Sequence, residues 1–117
     1  MCGIVGYVGP KEAAPLLLEA LHKLEYRGYD SSGICVAANG AIQVAKARGR
    51  LQVLRDMTQE GAQLPGHIGV GHTRWATHGE PSDVNSHPHL SQGGRVALVH
   101  NGIVENYMEL REFLTEK

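Results

Sequence analysis

The sequence predicts an α+β fold, a mixed sandwich of paired strands with helices packed on them, and three observations predict it. Asn39-Gly40 separates two strand-like runs, Gly33 to Ala38 and Ala41 to Ala47, and this dipeptide is the two-residue signal for a type I′ hairpin. With Ala38 opposite Ala41, Ile34, Val36 and Ala45 share one face while Cys35, Ile42 and Val44 share the other. Both faces are then largely apolar, so the sheet is expected to be covered on both sides. The elements run strand, helix, hairpin, helix, strand, strand, helix, an order that suits a mixed sandwich better than regularly alternating βαβ units.

The first strand is the nearly continuous apolar run from Gly3 to Gly9, with Ile4, Val5, Tyr7 and Val8. It is expected to be buried on both faces and to close at Gly9-Pro10. From Lys11 to Tyr26, Ala14, Leu17, Leu18, Leu21 and Leu24 fall on one helical stripe. Pro15 is tolerable only near the first turn, and Gly28 is a stop signal. After the hairpin, Gly49 to Glu60 places Leu51, Leu54 and Met57 along one side of a short amphipathic helix ending at Gly61. His67 to Thr73 and Arg95 to His100 read as two further strands separated by a long polar loop. Asn106 to Lys117 begins with an Asn-x-x-Glu capping pattern and carries Tyr107, Leu110 and Leu114 on one face.

The 117 residues fit one domain or a piece of one, enough to bury roughly two thirds of the unfolded surface. Eleven Lys and Arg stand against 12 Asp and Glu without a like-charge block, so neither nucleic acid nor an anionic membrane is the expected partner. No apolar run approaches the ~20 residues that span a bilayer, and Met1 is followed by no signal-peptide pattern. The expected location is the cytoplasm. Two cysteines, Cys2 and Cys35, do not make a disulfide framework there.

Three stretches offer chemistry. An N-terminal Cys2, exposed by loss of Met1, would carry a thiol and an α-amine on one residue, with ordinary pKa values of ~8.5 and ~7.7 to 8.0. The amine can then take the thiol proton without a distant histidine. Taken alone, Cys2 also reads as a small buried hydrophobe. The loop from His72 to Pro81 contains Arg74, whose planar fork can grip a carboxylate, and the Thr77 hydroxyl. Gly79 and Pro81 shape a loop able to close over an amino-acid-like ligand. Its ordinary reading pairs Arg74 with a surface acid and packs Trp75 as core. His100-Asn101-Gly102 follows an apolar strand and offers an Asn amide and a Gly N–H as oxyanion donors, or else a plain Asn-Gly turn.

Seven histidines, among them His72, His78, His87, His89 and His100, invite a metal reading. No His-Glu-x-x-His or Cys-x-x-Cys spacing supports it, so hydrogen-bonded loop histidines are preferred and no metal or other cofactor is expected. Arg27-Gly28-Tyr29-Asp30-Ser31-Ser32-Gly33 is a polar turn bounded by glycines, which also reads as a capped loop.

Met1-Cys2-Gly3, Arg27-Gly28-Tyr29-Asp30-Ser31, His72-Thr73-Arg74-Trp75-Ala76-Thr77-His78-Gly79 and His100-Asn101-Gly102-Ile103-Val104-Glu105-Asn106 coincide in one chain. Together they resemble the glutaminase (class II glutamine amidotransferase) domain of the glutamine-fructose-6-phosphate aminotransferases, and the resemblance covers essentially the whole chain. It implies the αββα sandwich of N-terminal-nucleophile hydrolases, incomplete at the C-terminus, with residues 1–117 as the first part of that domain and the sugar-isomerase domains absent. It implies Cys2 as nucleophile with its own α-amine as base, Asn101 and Gly102 as oxyanion donors, and Arg74, Trp75, Thr77, His78 and Gly79 in the glutamine-holding loop. Arg27 braces the nucleophile's end of the sheet, His87 is supporting, and Cys35 is core.

The implied activity is hydrolysis of the L-glutamine amide, with ammonia passed to fructose 6-phosphate to give glucosamine 6-phosphate in a homo-oligomeric parent. In that family an Asp beyond this stretch binds the substrate's α-amino group, so this stretch alone is expected to be weakly active or inactive. With Met1 in place the α-amine is tied up in a peptide bond, and that form is expected to be inactive. Another class II amidotransferase with a different ammonia acceptor is the alternative; a His-cluster metal hydrolase and a non-catalytic binding fragment stand behind it.

Overall fold

The computed structural model describes residues 3–24, 31–74, 87–100 and 105–116. Strands β1 (Gly3–Val8), β2 (Ser31–Ala38), β3 (Ala41–Arg48) and β4 (Ile68–Arg74) form one antiparallel sheet in the order β1-β4-β2-β3. The hairpin forms in the expected register, Ala38 opposite Ala41, and its turn has Asn39 at φ 52° and Gly40 at φ 77°. Those two left-handed residues are what a type I′ turn requires, and Asn and Gly reach that region at least cost.

Helices α1 (Ala13–Leu24) and α2 (Leu51–Met57) cover one face of this sheet. Leu17, Leu18 and Leu21 of α1 pack with Ile34 and Val36 of β2, Ala47 of β3 and Leu51 and Leu54 of α2, all 4% exposed or less. The α1 stripe therefore buries as its spacing predicts. Gly71 of β4 lies beneath it, where a methyl group would come within 3.2 Å of Leu21 Cδ1 and 3.0 Å of Val5 Cγ2. The missing side chain lets α1 settle onto the strands. The start of α1 is tied to the approach of β4, since Ala13 N–H donates to Gly66 O at 2.8 Å and Gly66 N–H donates to Glu12 Oε2 at 2.8 Å.

Four expectations are corrected. Strand β1 alternates half-buried and exposed residues, with Ile4 46% and Val8 78% exposed, because it is an edge strand with α1 on one side only among the described residues. Met57, expected on the buried side of α2, is 50% exposed. It is the helix's last residue, and Thr58 behind it takes the buried place and donates its hydroxyl to Leu54 O at 2.8 Å. The strand expected over Arg95 to His100 shrinks to β6 (Ala97–Leu98), which pairs with β5 (His89–Leu90). The Ser91 hydroxyl accepts the N–H groups of Arg95 and Val96 at 3.2 and 3.1 Å, so that stretch closes a turn and does not extend the ladder. Helix α3 (Tyr107–Thr115) forms, but Asn106, at φ −100° and ψ 33°, makes no side-chain cap. A capping residue normally needs an extended backbone to turn its side chain back. No residue of α3 is buried.

Candidate active site

Opposed residues of an antiparallel sheet share a face, so the register assigns what the second face of the four-stranded sheet carries. One row across it reads Ile4, His72, Gly33, Lys46, and the next reads Arg74, Ser31, Arg48. This is the face turned away from α1. His72 is fully buried and Arg74 is 8% exposed, so a guanidinium with its charge largely withdrawn from water stands at the end of β4.

The same strand holds the segment that follows Cys2. Gly3 N–H donates to the Thr73 hydroxyl at 3.1 Å, and a methyl group on Gly3 would lie 2.5 Å from Leu24 Cδ1. Thr73, which anchors the peptide nitrogen joined to Cys2, is therefore the chain neighbour of Arg74. Sequence reasoning missed this role of Thr73.

His87 and Pro88 cross the second face. His89 packs against the His87 ring, tilted, at 4.3 Å and 56°, and His87 in turn stacks on His72 with centroids 4.2 Å apart at 27°. The His87 carbonyl lies over Gly33, where any side chain would collide with it, and Lys46 Nζ donates to Pro88 O at 3.4 Å. His100 N–H donates to His87 Nδ1 at 3.3 Å. Burial, then the charges of His72, His89, Arg74 and His100, lowers the His87 pKa to about 4. Burial, Lys46 and Arg74 lower that of His89. Among the described residues no three His, Cys, Asp or Glu are grouped to hold a metal ion. An isolated glycine inside an apolar strand, Gly33, was the available sign that another segment approaches the sheet here.

Of the residues singled out from sequence, Arg74 and His87 are thus brought to one face. Cys2, Arg27, Trp75, Thr77, His78, Gly79, Asn101 and Gly102 lie outside the described residues. Cys35 is free, buried, and on this same face as core; burial raises its thiol pKa against the lowering effect of the Val70 backbone.

No family model matches the sequence. Curated relatives do: glutamine-fructose-6-phosphate aminotransferase (isomerizing) of Caldanaerobacter subterraneus subsp. tengcongensis is 62% identical over 117 residues, all of this chain and 19% of the relative. The enzyme of the same name from Clostridium perfringens is 61% identical over the same 117 residues, again 19% of its length. That of Thermus thermophilus is 54% identical over 114 residues, 97% of this chain and 19% of the relative. The chain therefore spans about a fifth of the length of the curated relatives it matches. Among solved structures, glutamine phosphoribosylpyrophosphate amidotransferase of B. subtilis, complexed with ADP and GMP, superposes with a TM-score of 0.81 at 26% identity, over 99% of this chain and 25% of that one. A structure described as the allosteric regulatory enzyme of purine biosynthesis gives 0.83 at 26% identity, with the same shares covered. The α+β fold is that of the N-terminal-nucleophile amidotransferases. By identity that runs from end to end, the chain belongs to the glutamine-fructose-6-phosphate aminotransferase family, in its N-terminal glutamine amidotransferase region.

Proposed function

We propose that this chain carries the glutamine-hydrolysing site of a longer protein that converts fructose 6-phosphate to glucosamine 6-phosphate. The observation that carries the proposal is 62% identity along all 117 residues to an enzyme named for that reaction. The likeness to the phosphoribosylpyrophosphate amidotransferase is 26%, so a different ammonia acceptor is the weaker reading. The remaining domains, which receive the ammonia, the homo-oligomeric state and the cytoplasmic location belong to the same proposal.

In this mechanism the free α-amine of Cys2 takes the thiol proton, and the thiolate attacks the side-chain amide carbon of glutamine. The Asn101 side-chain amide and the Gly102 N–H donate to the oxyanion; one such donor is worth on the order of 10² to 10³ in rate. The protonated amine returns its proton to the departing nitrogen, the C–N bond breaks, and ammonia leaves a γ-glutamyl thioester. Water, deprotonated by the same amine, cleaves the C–S bond, giving glutamate and restoring the thiol. Arg74, with Thr77 and His78, holds the glutamine α-carboxylate, and Trp75 and Gly79 form the loop over it. Arg27 braces the sheet end.

The described geometry supports these roles in one respect: Thr73 anchors the residue after the nucleophile, and Arg74, next along β4, is buried on the face away from the core. The test is mass spectrometry of the full-length protein after exposure to an electrophilic glutamine analogue. One adduct on an N-terminal Cys2 is expected. An adduct on Cys35, whose thiol is 5% exposed and held protonated by burial, or an active protein that keeps Met1, would overturn the mechanism. Activity lost to a chelator and retained in Cys2→Ala would favour a metal hydrolase.

A further inference from the structure

We propose that His87 is a positioning residue, which holds His100, the residue that leads directly into Asn101 and Gly102, to the segment seated on the sheet face that carries Arg74. The inference rests on the function proposed above, in which those two residues are the oxyanion donors. It starts from where His87 is held. The ring stacks on His72 of β4, its carbonyl occupies the space left by Gly33 of β2, and Lys46 of β3 donates to the Pro88 carbonyl that follows. Three strands of the large sheet therefore seat the 87–88 segment.

From that seat, Nδ1 accepts the main-chain N–H of His100 at 3.3 Å. His100 lies two residues beyond Leu98, where the β5 and β6 ladder ends in the His89–Leu98 pair, and it is bonded directly to Asn101. The ladder itself stops short of the proposed donors. Among the described residues, the His87–His100 hydrogen bond ties the chain that leads into them to the segment seated on the sheet.

The link fixes a tautomer. To accept at Nδ1 the neutral ring must carry its proton on Nε2, and an imidazolium, a donor at both nitrogens, cannot make the bond. Burial and then the charges that face the ring keep it neutral: His72 and Arg74 from β4, His89 from β5, and His100. A pKa near 4 agrees with that setting.

The test compares His87→Phe, which keeps a stacking ring without an acceptor, with His87→Asn, whose side-chain oxygen lies near the place of Nδ1. In the full-length protein, amide exchange at His100 is expected to speed up by roughly 3- to 10-fold in His87→Phe, the equivalent of one lost hydrogen bond, and to stay near the parent value in His87→Asn. For glutamine hydrolysis, kcat is expected to fall by about 10-fold or more in His87→Phe with KM changed less than about 3-fold, and His87→Asn is expected to recover most of it. Unchanged His100 exchange in His87→Phe overturns the proposal, as does equal loss of kcat in both variants. Failure of the parent protein to label at Cys2 overturns the glutaminase reading instead, and the exchange result stands apart from it.

Discussion

Gly33→Ala is the most direct perturbation of the site face. A methyl group at this position would overlap the His87 carbonyl oxygen and lie 2.9 Å from Lys46 Cβ and 3.0 Å from the His87 carbonyl carbon. Two of these three atoms are backbone, so no side-chain rotation relieves them. Restoring ordinary contact at about 3.5 Å requires the 87–88 segment to lift by roughly 1 Å or more. The lift breaks the Lys46 to Pro88 hydrogen bond, already 3.4 Å long, and opens the stack on His72. Overpacking of this kind costs ~1 to 3 kcal/mol, and the smaller freedom of the unfolded alanine chain offsets about 0.5 kcal/mol of it. The expected net loss is ~1 to 2 kcal/mol. Gly93→Ala is the control, since a methyl group there meets nothing within 4 Å. Urea unfolding of the full-length protein measures both, with the His87 ring resonances reporting the stack. Equal stability of the two variants, or an unshifted His87 ring in Gly33→Ala, would refute the argument that the glycine seats the crossing segment.

Two further outcomes follow from the packing and charge. Because the folded His87 titrates near 4 and an unfolded imidazole near 6.5, the unfolded chain binds the extra proton first as pH falls, so this residue lowers stability between about 6.5 and 4 and adds no further loss below. Screened for a ring that is not deeply buried, the effect is ~1 to 2 kcal/mol; the difference between parent and His87→Asn unfolding free energies at pH 7 and pH 4.5 measures it, and a parent that loses no more than the variant contradicts it. Leu21→Ala removes a fully buried α1 side chain above Gly71, and the expected loss of ~2 to 5 kcal/mol is read as a lower urea midpoint at unchanged slope.

The elements whose stability is local were legible in the sequence. The α1 stripe and the Asn39-Gly40 turn carry their own geometry in residue spacing, and both appear with the expected register and buried side. What failed depended on neighbours distant in the chain. The burial of β1 was misjudged because its apolar run does not encode that β4, more than 60 residues later, becomes its partner on one edge and leaves the other unpaired among the described residues. The Arg95 to His100 strand was overextended because periodicity is blind to the Ser91 hydroxyl that takes the amides of Arg95 and Val96. On the candidate site face, Arg74 was singled out by its chemistry and His87 by its company of histidines. The parts that orient them, Thr73 and Gly33, are residues whose roles exist only across the sheet.

That contrast extends to the histidines, which the sequence assigns to hydrogen-bonded loops in preference to a metal site. Clustered imidazoles in sequence suggest ligands, yet His72, His87 and His89 come from a strand, a crossing segment and a short ladder, with His87 stacked on His72 and tilted against His89. A metal ligand set needs lone pairs converging on one point, whereas here one lone pair, on His87 Nδ1, is taken by a main-chain N–H. Burial, the other imidazoles and Arg74 resist a positive charge on that ring. The arrangement instead suits an anion brought to the face. A carboxylate brought beside Arg74 would offset part of that positive field and move the His87 pKa upward, so an anion bound on this face is expected to be read as a rise in the His87 titration midpoint.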